Sequence, residues 1–63
     1  MKLREMIESL RMAQRVEIRD SNGYEICECD TDSAGVNPYL DMTVLEWFAA
    51  RHLSAEFIVY VKE

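Results

Sequence analysis

Phe57-Ile58-Val59-Tyr60-Val61 is an unbroken run of large apolar and aromatic side chains, three of them β-branched. Such a run reads as a strand, and because side chains alternate across a strand, both of its faces are apolar. In a chain of 63 residues that condition excludes most folds, because each face needs cover. One amphipathic helix covers one face. The expectation is that a second copy of the chain supplies the rest, giving a homo-oligomer formed through the C-terminal strand.

The remaining cover has to come from a single domain, residues 1–63, since a chain this short builds one core at most. Hydrophobic residues are 49% and charged residues 30% of the sequence, the balance of a folded domain rather than a disordered tail. Two cysteines cannot form the dense disulfide framework of small secreted domains. No apolar stretch reaches the roughly 18–20 residues of a membrane span, and no segment reads as a signal peptide. These features lead to the expectation of a cytoplasmic protein without a membrane partner.

The net charge of −5 is unevenly distributed. Lys2, Arg4, Arg11, Arg15 and Arg19 outnumber Glu5, Glu8 and Glu17 in the first 19 residues. Residues 20–46 contain Asp20, Glu25, Glu28, Asp30, Asp32, Asp41 and Glu46 and no basic residue. A middle this acidic repels a phosphate backbone and suits solubility, a cation or a basic protein surface.

Leu3, Met6, Ile7 and Leu10 recur at helical spacing and predict an amphipathic helix over residues 2–13, with Glu8 and Arg11 as a favourable pair on its surface. Asn22-Gly23 predicts a two-residue hairpin turn within residues 15–30, with both turn residues at positive φ. That register sets Val16 opposite Cys29 and Ile18 opposite Cys27 on one apolar face. Glu17, Arg19, Tyr24, Ile26 and Glu28 fall on the other, where Arg19 lies diagonally to relieve the Glu17–Glu28 pair. Gly35, Asn37 and Pro38 mark residues 31–41 as loop. Residues 43–54 are balanced between a helix opened by a Thr43–Glu46 capping box and a strand rich in Val44, Leu45, Trp47 and Phe48.

The chemistry-bearing residues are sparse. Asp30, Asp32, Gly35 and Asp41 fall at positions one, three, six and twelve of a calcium loop, which makes the three aspartates candidate metal ligands. Ala34 replaces an oxygen ligand, Asp41 shortens the closing Glu, and a strand precedes the loop where a helix belongs, so an acidic surface loop is the simpler reading. Cys27 and Cys29 read as small core thiols. Zinc would need further ligands, and His52 is the one other soft donor in the chain. No nucleophile motif accompanies His52. Arg11, Arg15 and Arg19 with Tyr24 form a candidate binding edge, basic side chains beside a stacking ring. Asp20, Asp30 and Asp32, with Glu28 nearby, are the carboxylates from which a divalent-metal site for catalysis can be assembled. No other cofactor is expected.

The segments MKLREMIESL, RVEIRDSNGYEICE, YLDMTVLEWFA and EFIVYVKE together resemble short open reading frames in prophages and mobile elements of anaerobic Gram-positive bacteria. The resemblance implies a leading helix, a hairpin and two closing strands, and so tips residues 43–50 toward strand. The expected fold is α+β, an N-terminal amphipathic helix packed on a four-stranded antiparallel sheet completed by homo-oligomerisation. The resemblance also implies a phage-derived accessory protein acting against a host defence, as an anti-CRISPR on a type II RNA-guided nuclease or on its DNA target. One such group is similar in size and is described as an oligomeric sheet, like single-strand-binding coactivators, that relaxes or nicks supercoiled DNA. Two alternatives therefore stand beside the first. One is a metal-dependent DNA-nicking enzyme using Asp20, Asp30 or Asp32; the other is an acidic protein-interaction module with no enzymatic activity.

Overall fold

The computed structural model of the chain describes residues 1–50 and 55–63. Helix α1 (Leu3–Glu8) is followed by strands β1 (Arg15–Arg19) and β2 (Glu25–Asp30), a 3-10 helix (Ala34–Tyr39), and strands β3 (Thr43–Ala49) and β4 (Phe57–Lys62). The four strands form one sheet in the order β2-β1-β4-β3. Residues 43–49 are thus strand, and His52 lies outside the described residues.

The sheet is mixed, which corrects the all-antiparallel expectation. β1 pairs antiparallel with β2, and β3 with β4, but β1 and β4 are parallel. The cause is the segment 31–42, about the dozen residues a parallel crossover requires. It returns the chain to start β3 alongside the far edge, running in the same direction as β2. β4 then fills the gap between β1 and β3, and being antiparallel to β3 it must run parallel to β1. Interior placement suits its two apolar faces. Phe57, Val59 and Val61 point into the core, and on the opposite face Ile58 is only 5% exposed. On that same opposite face Tyr60 is half-buried, and both edges of β4 are paired within the chain, with β1 and with β3.

The core lies between one face of the sheet and the two helices. Leu3 and Met6 of α1 and Val36 of the 3-10 helix pack on Val16, Ile18, Cys29, Phe57, Val59 and Val61. The hairpin register is the expected one in the strands: Val16 opposes Cys29 and Ile18 opposes Cys27. The turn differs. Only Gly23 has positive φ, at 91°, and the Gly23 N–H donates to the Asp20 carbonyl while the Asp20 N–H donates to Tyr24. This is a three-residue turn with glycine in its left-handed position. The extra turn residue shifts Arg19 to face Glu25, and an irregularity at Ile26 on β2 restores the register beyond it. As a result Ile26 does not join the outer face. It lines a shallow concavity with Pro38, Tyr39 and Met42.

Helix α1 is shorter than its apolar stripe predicts, ending at Glu8 instead of residue 13. The Ser9 hydroxyl donates to the Met6 carbonyl at 2.6 Å. Further along, the Gln14 N–H donates to the Thr31 hydroxyl at 3.0 Å and the Thr31 N–H to the Gln14 carbonyl at 2.9 Å. Tying residue 14 to the base of the hairpin forces residues 10–13 out of the helix, while Leu10 still packs against the core. At the other end of α1, the Leu3 and Arg4 N–H groups donate to the carbonyls of Met42 and Leu40. The first turn's otherwise unpaired donors are thereby satisfied and the helix is fixed to the start of β3.

Candidate functional site

Alternation along β1 places Arg15, Glu17 and Arg19 on the face of the sheet opposite the core, and among the described residues no helix lies over that face. The strand pairing sets out two rows across it. Glu28, Glu17, Ile58 and Phe48 form one row, and Glu25, Arg19, Tyr60 and Glu46 the next. Reading from β2 toward β3, the first row goes from carboxylate to aromatic.

Carboxylates dominate the β2 side. One oxygen each from Glu17, Glu25 and Glu28 lies within 4.8 Å of the other two, which among the described residues is the one such cluster of three potential metal ligands. Glu17 is 6% exposed and forms an ion pair with Arg19. Arg15 donates to Glu28 at 3.0 Å and to Asp30 at 3.4 Å. Hydrogen bonding to Glu28 holds the Arg15 guanidinium above its ordinary pKa, and hydrogen bonding to Glu17 does the same for Arg19. Glu25 is pushed above the usual carboxylate range, first by a hydrogen bond with Glu17 and then by its partial desolvation and the neighbouring negative charges. Chemically the cluster is three neighbouring carboxyl groups flanked by two arginines.

The β3 side is aromatic. The Phe48 and Tyr60 rings lie with centroids 5.8 Å apart and planes tilted by 36°. Against them a shallow concavity opens between Leu45, Glu46 and Tyr60 and the turn residues Ser21, Asn22 and Gly23.

The residues singled out from the sequence do not converge on one point. Asp20 is occupied by the turn, its Oδ1 accepting the N–H groups of Asn22 at 2.9 Å and Tyr24 at 3.0 Å. Asp30 is bound to Arg15, and Asp32 is exposed in the loop that follows β2. Asp41 pairs with Arg4 at 3.3 Å, beyond the 3-10 helix that occupies the middle of the suspected calcium loop. Arg15 and Arg19 share the open face, both already in ion pairs; Arg11 and Tyr24 are exposed. Glu17 and Glu25 are not among the site residues expected from the sequence. The opposition of Glu17 to Glu28 was a signal for the first, whereas Glu25 joins them only because the turn has an extra residue.

Cys29 is buried beneath Gly35, and burial raises its thiol pKa, with a hydrogen bond to Cys27 adding to the effect. Both cysteines are free, in the place expected of core thiols. Compared with protein families, characterised proteins and solved structures, the chain matches none.

Proposed function

We propose that this chain is a small protein-binding accessory module that presents the acidic half of its open sheet face to a basic surface on a host RNA-guided nuclease, antagonising it as an anti-CRISPR. The observation that carries the reading is the side-by-side arrangement of the Glu25 and Glu28 carboxylates, with the buried Glu17 between them and Arg19, and the Phe48–Tyr60 ring pair on the sheet face opposite the core. A nuclease channel that holds a heteroduplex by its phosphates is lined with basic side chains. Carboxylates complement those charges, and adjacent rings accept guanidinium groups through cation–π contact. The same face suits DNA poorly, because Arg15 and Arg19 are engaged by carboxylates and offer little free positive charge to a phosphate backbone. The choice of a nuclease as the partner rests on the resemblance to prophage reading frames.

The test is cleavage of a supercoiled target plasmid by a purified type II RNA-guided nuclease, with and without this protein. Inhibition that weakens as salt is raised supports the reading, and cleavage unaffected by a large molar excess contradicts it. A parallel incubation of plasmid, protein and magnesium without nuclease addresses the metal-dependent nicking alternative, for which the carboxylate cluster is the better-assembled candidate. Open circles that disappear in Glu25→Gln favour that alternative.

A further inference from the structure

β3 is an edge strand with an unusual outer border. Its segment Leu45-Glu46-Trp47-Phe48-Ala49 contains one charge and none of the lysines or prolines that keep sheet edges from pairing. Leu45, Trp47 and Phe48 are 45%, 57% and 43% exposed. Among the described residues only the start of the strand is protected, where Lys2 bridges Thr43 and the Val44 N–H donates outward to the Met1 carbonyl at 2.7 Å. At the other end the Ala50 N–H donates inward to Glu56 at 3.0 Å. Alternating from both anchors, with an irregularity between Val44 and Glu46, the N–H and C=O groups of Trp47 and Ala49 point away from β4. Among the described residues they have no backbone partner.

We propose that this border is the interface of a two-fold homodimer in which β3 pairs antiparallel with β3 of a second copy about Phe48. In that register Trp47 of each copy faces Ala49 of the other, so the outward backbone groups of both residues are paired. The fit is self-complementary on both faces. On the core side each Trp47 ring, already edge-on to Phe57, lies over a small Ala49; on the open side the two Phe48 rings meet. Glu46 faces Ala50 of the second copy rather than its own equivalent, so like charges are not opposed. The acidic strand β2 is at the opposite edge of the sheet, and in the eight-stranded dimer the two β2 strands are about 33 Å apart at normal strand spacing. That exceeds the Debye length of about 8 Å at physiological salt, so the net charge of each copy does not prevent the approach.

The exposed parts of Leu45, Trp47 and Phe48 amount to on the order of 300 Å² per copy, with the backbone strip in addition. A stable interface buries about 800 Å² per partner, so association is concentration-dependent. Sedimentation equilibrium of the full chain over a wide concentration range tests this. The expected mass rises from 7.4 kDa toward twice that value. Phe48→Lys, which opposes two ammonium groups at the axis, holds the mass at 7.4 kDa. Trp47→Lys gives the same result and serves if Phe48→Lys fails to fold, circular dichroism reporting the fold of each. Phe48→Cys, with the two positions opposed at the axis, gives a disulfide-linked dimer on oxidation that Glu46→Cys does not. A wild-type chain that stays monomeric at millimolar concentration overturns the proposal, as does a folded Phe48→Lys or Trp47→Lys variant that still dimerises. The nuclease assay is read separately with Trp47→Lys, which leaves Glu17, Glu25, Glu28 and the Phe48–Tyr60 ring pair in place, whereas Phe48→Lys removes one of those rings.

Discussion

Arg19 pairs with Glu17, two residues back on its own strand, and the pair neutralises a carboxylate that is almost wholly buried on the open face. A buried charge is tolerated when its partner is present and is costly when left alone. Arg19→Ala is therefore expected to lower the urea midpoint clearly. Adding Glu17→Gln to it should recover most of the loss, because a neutral amide no longer needs the cation. Independent, additive losses in the double variant would contradict the pairing.

The Glu17–Glu25 contact makes stability depend on pH. Glu25 has its pKa raised in the folded protein, so the folded state favours its protonated form. The stabilisation from that proton is fully present below the ordinary carboxylate pKa and is lost as pH rises through the folded value. Glu25→Gln supplies a permanent neutral donor. Its stability relative to wild type should increase as pH rises from about 4 to 7, measured by urea titration at each pH. A difference independent of pH would count against the raised pKa of Glu25.

Asp20 organises the hairpin turn. Asp20→Ala removes two side-chain acceptors from the turn and is expected to cost about 1 kcal/mol, whereas Asp20→Asn keeps an acceptor oxygen and stays near wild type. Gly23→Ala places a side chain at φ 91° and is expected to cost about 1 kcal/mol as well. Denaturant unfolding monitored at Trp47 measures all three.

The two cysteines should differ in reactivity. Cys29 is buried and its thiol is held protonated, while Cys27 is partly exposed. A neutral alkylating agent is expected to modify Cys27 first, with Cys29 following only on unfolding. Gly35→Ala brings a methyl group to 3.3 Å from the Cys29 Cβ, a tight contact that is relieved by a shift of a few tenths of an ångström between the 3-10 helix and β2. The expected cost is about 1–3 kcal/mol, with faster labelling of Cys29. Equal labelling rates in the native wild type would contradict the burial of Cys29 under Gly35.

What the sequence discloses follows the range of each interaction. Val16, Ile18, Cys27 and Cys29 reveal their shared face because the hairpin is local and a one-residue slip would expose all four. The strand register is legible although the turn type is not, since the extra turn residue and the irregularity at Ile26 cancel. The end of the helix at Glu8 is not legible because the residues that follow favour helix locally, while the hydrogen bonds between Gln14 and Thr31 act over a distance the periodicity does not register. The parallel neighbour of β1 was out of reach for the same reason: β4 follows two other strands in the chain. The carboxylate cluster combines both cases, Glu17 and Glu28 being legible as an opposed pair and Glu25 depending on the turn.

The central claim is that the acidic half of the open face binds a basic surface, and calorimetric titration of a purified type II RNA-guided nuclease with the wild-type chain and with a Glu25→Lys/Asp30→Lys variant tests it directly. Both substituted side chains are exposed, so the fold is expected to persist. The account predicts that the wild type binds, that raising salt from about 50 to 300 mM weakens binding by about tenfold, and that charge reversal abolishes it. Absence of binding by the wild type, or binding indifferent to both salt and charge reversal, would contradict it.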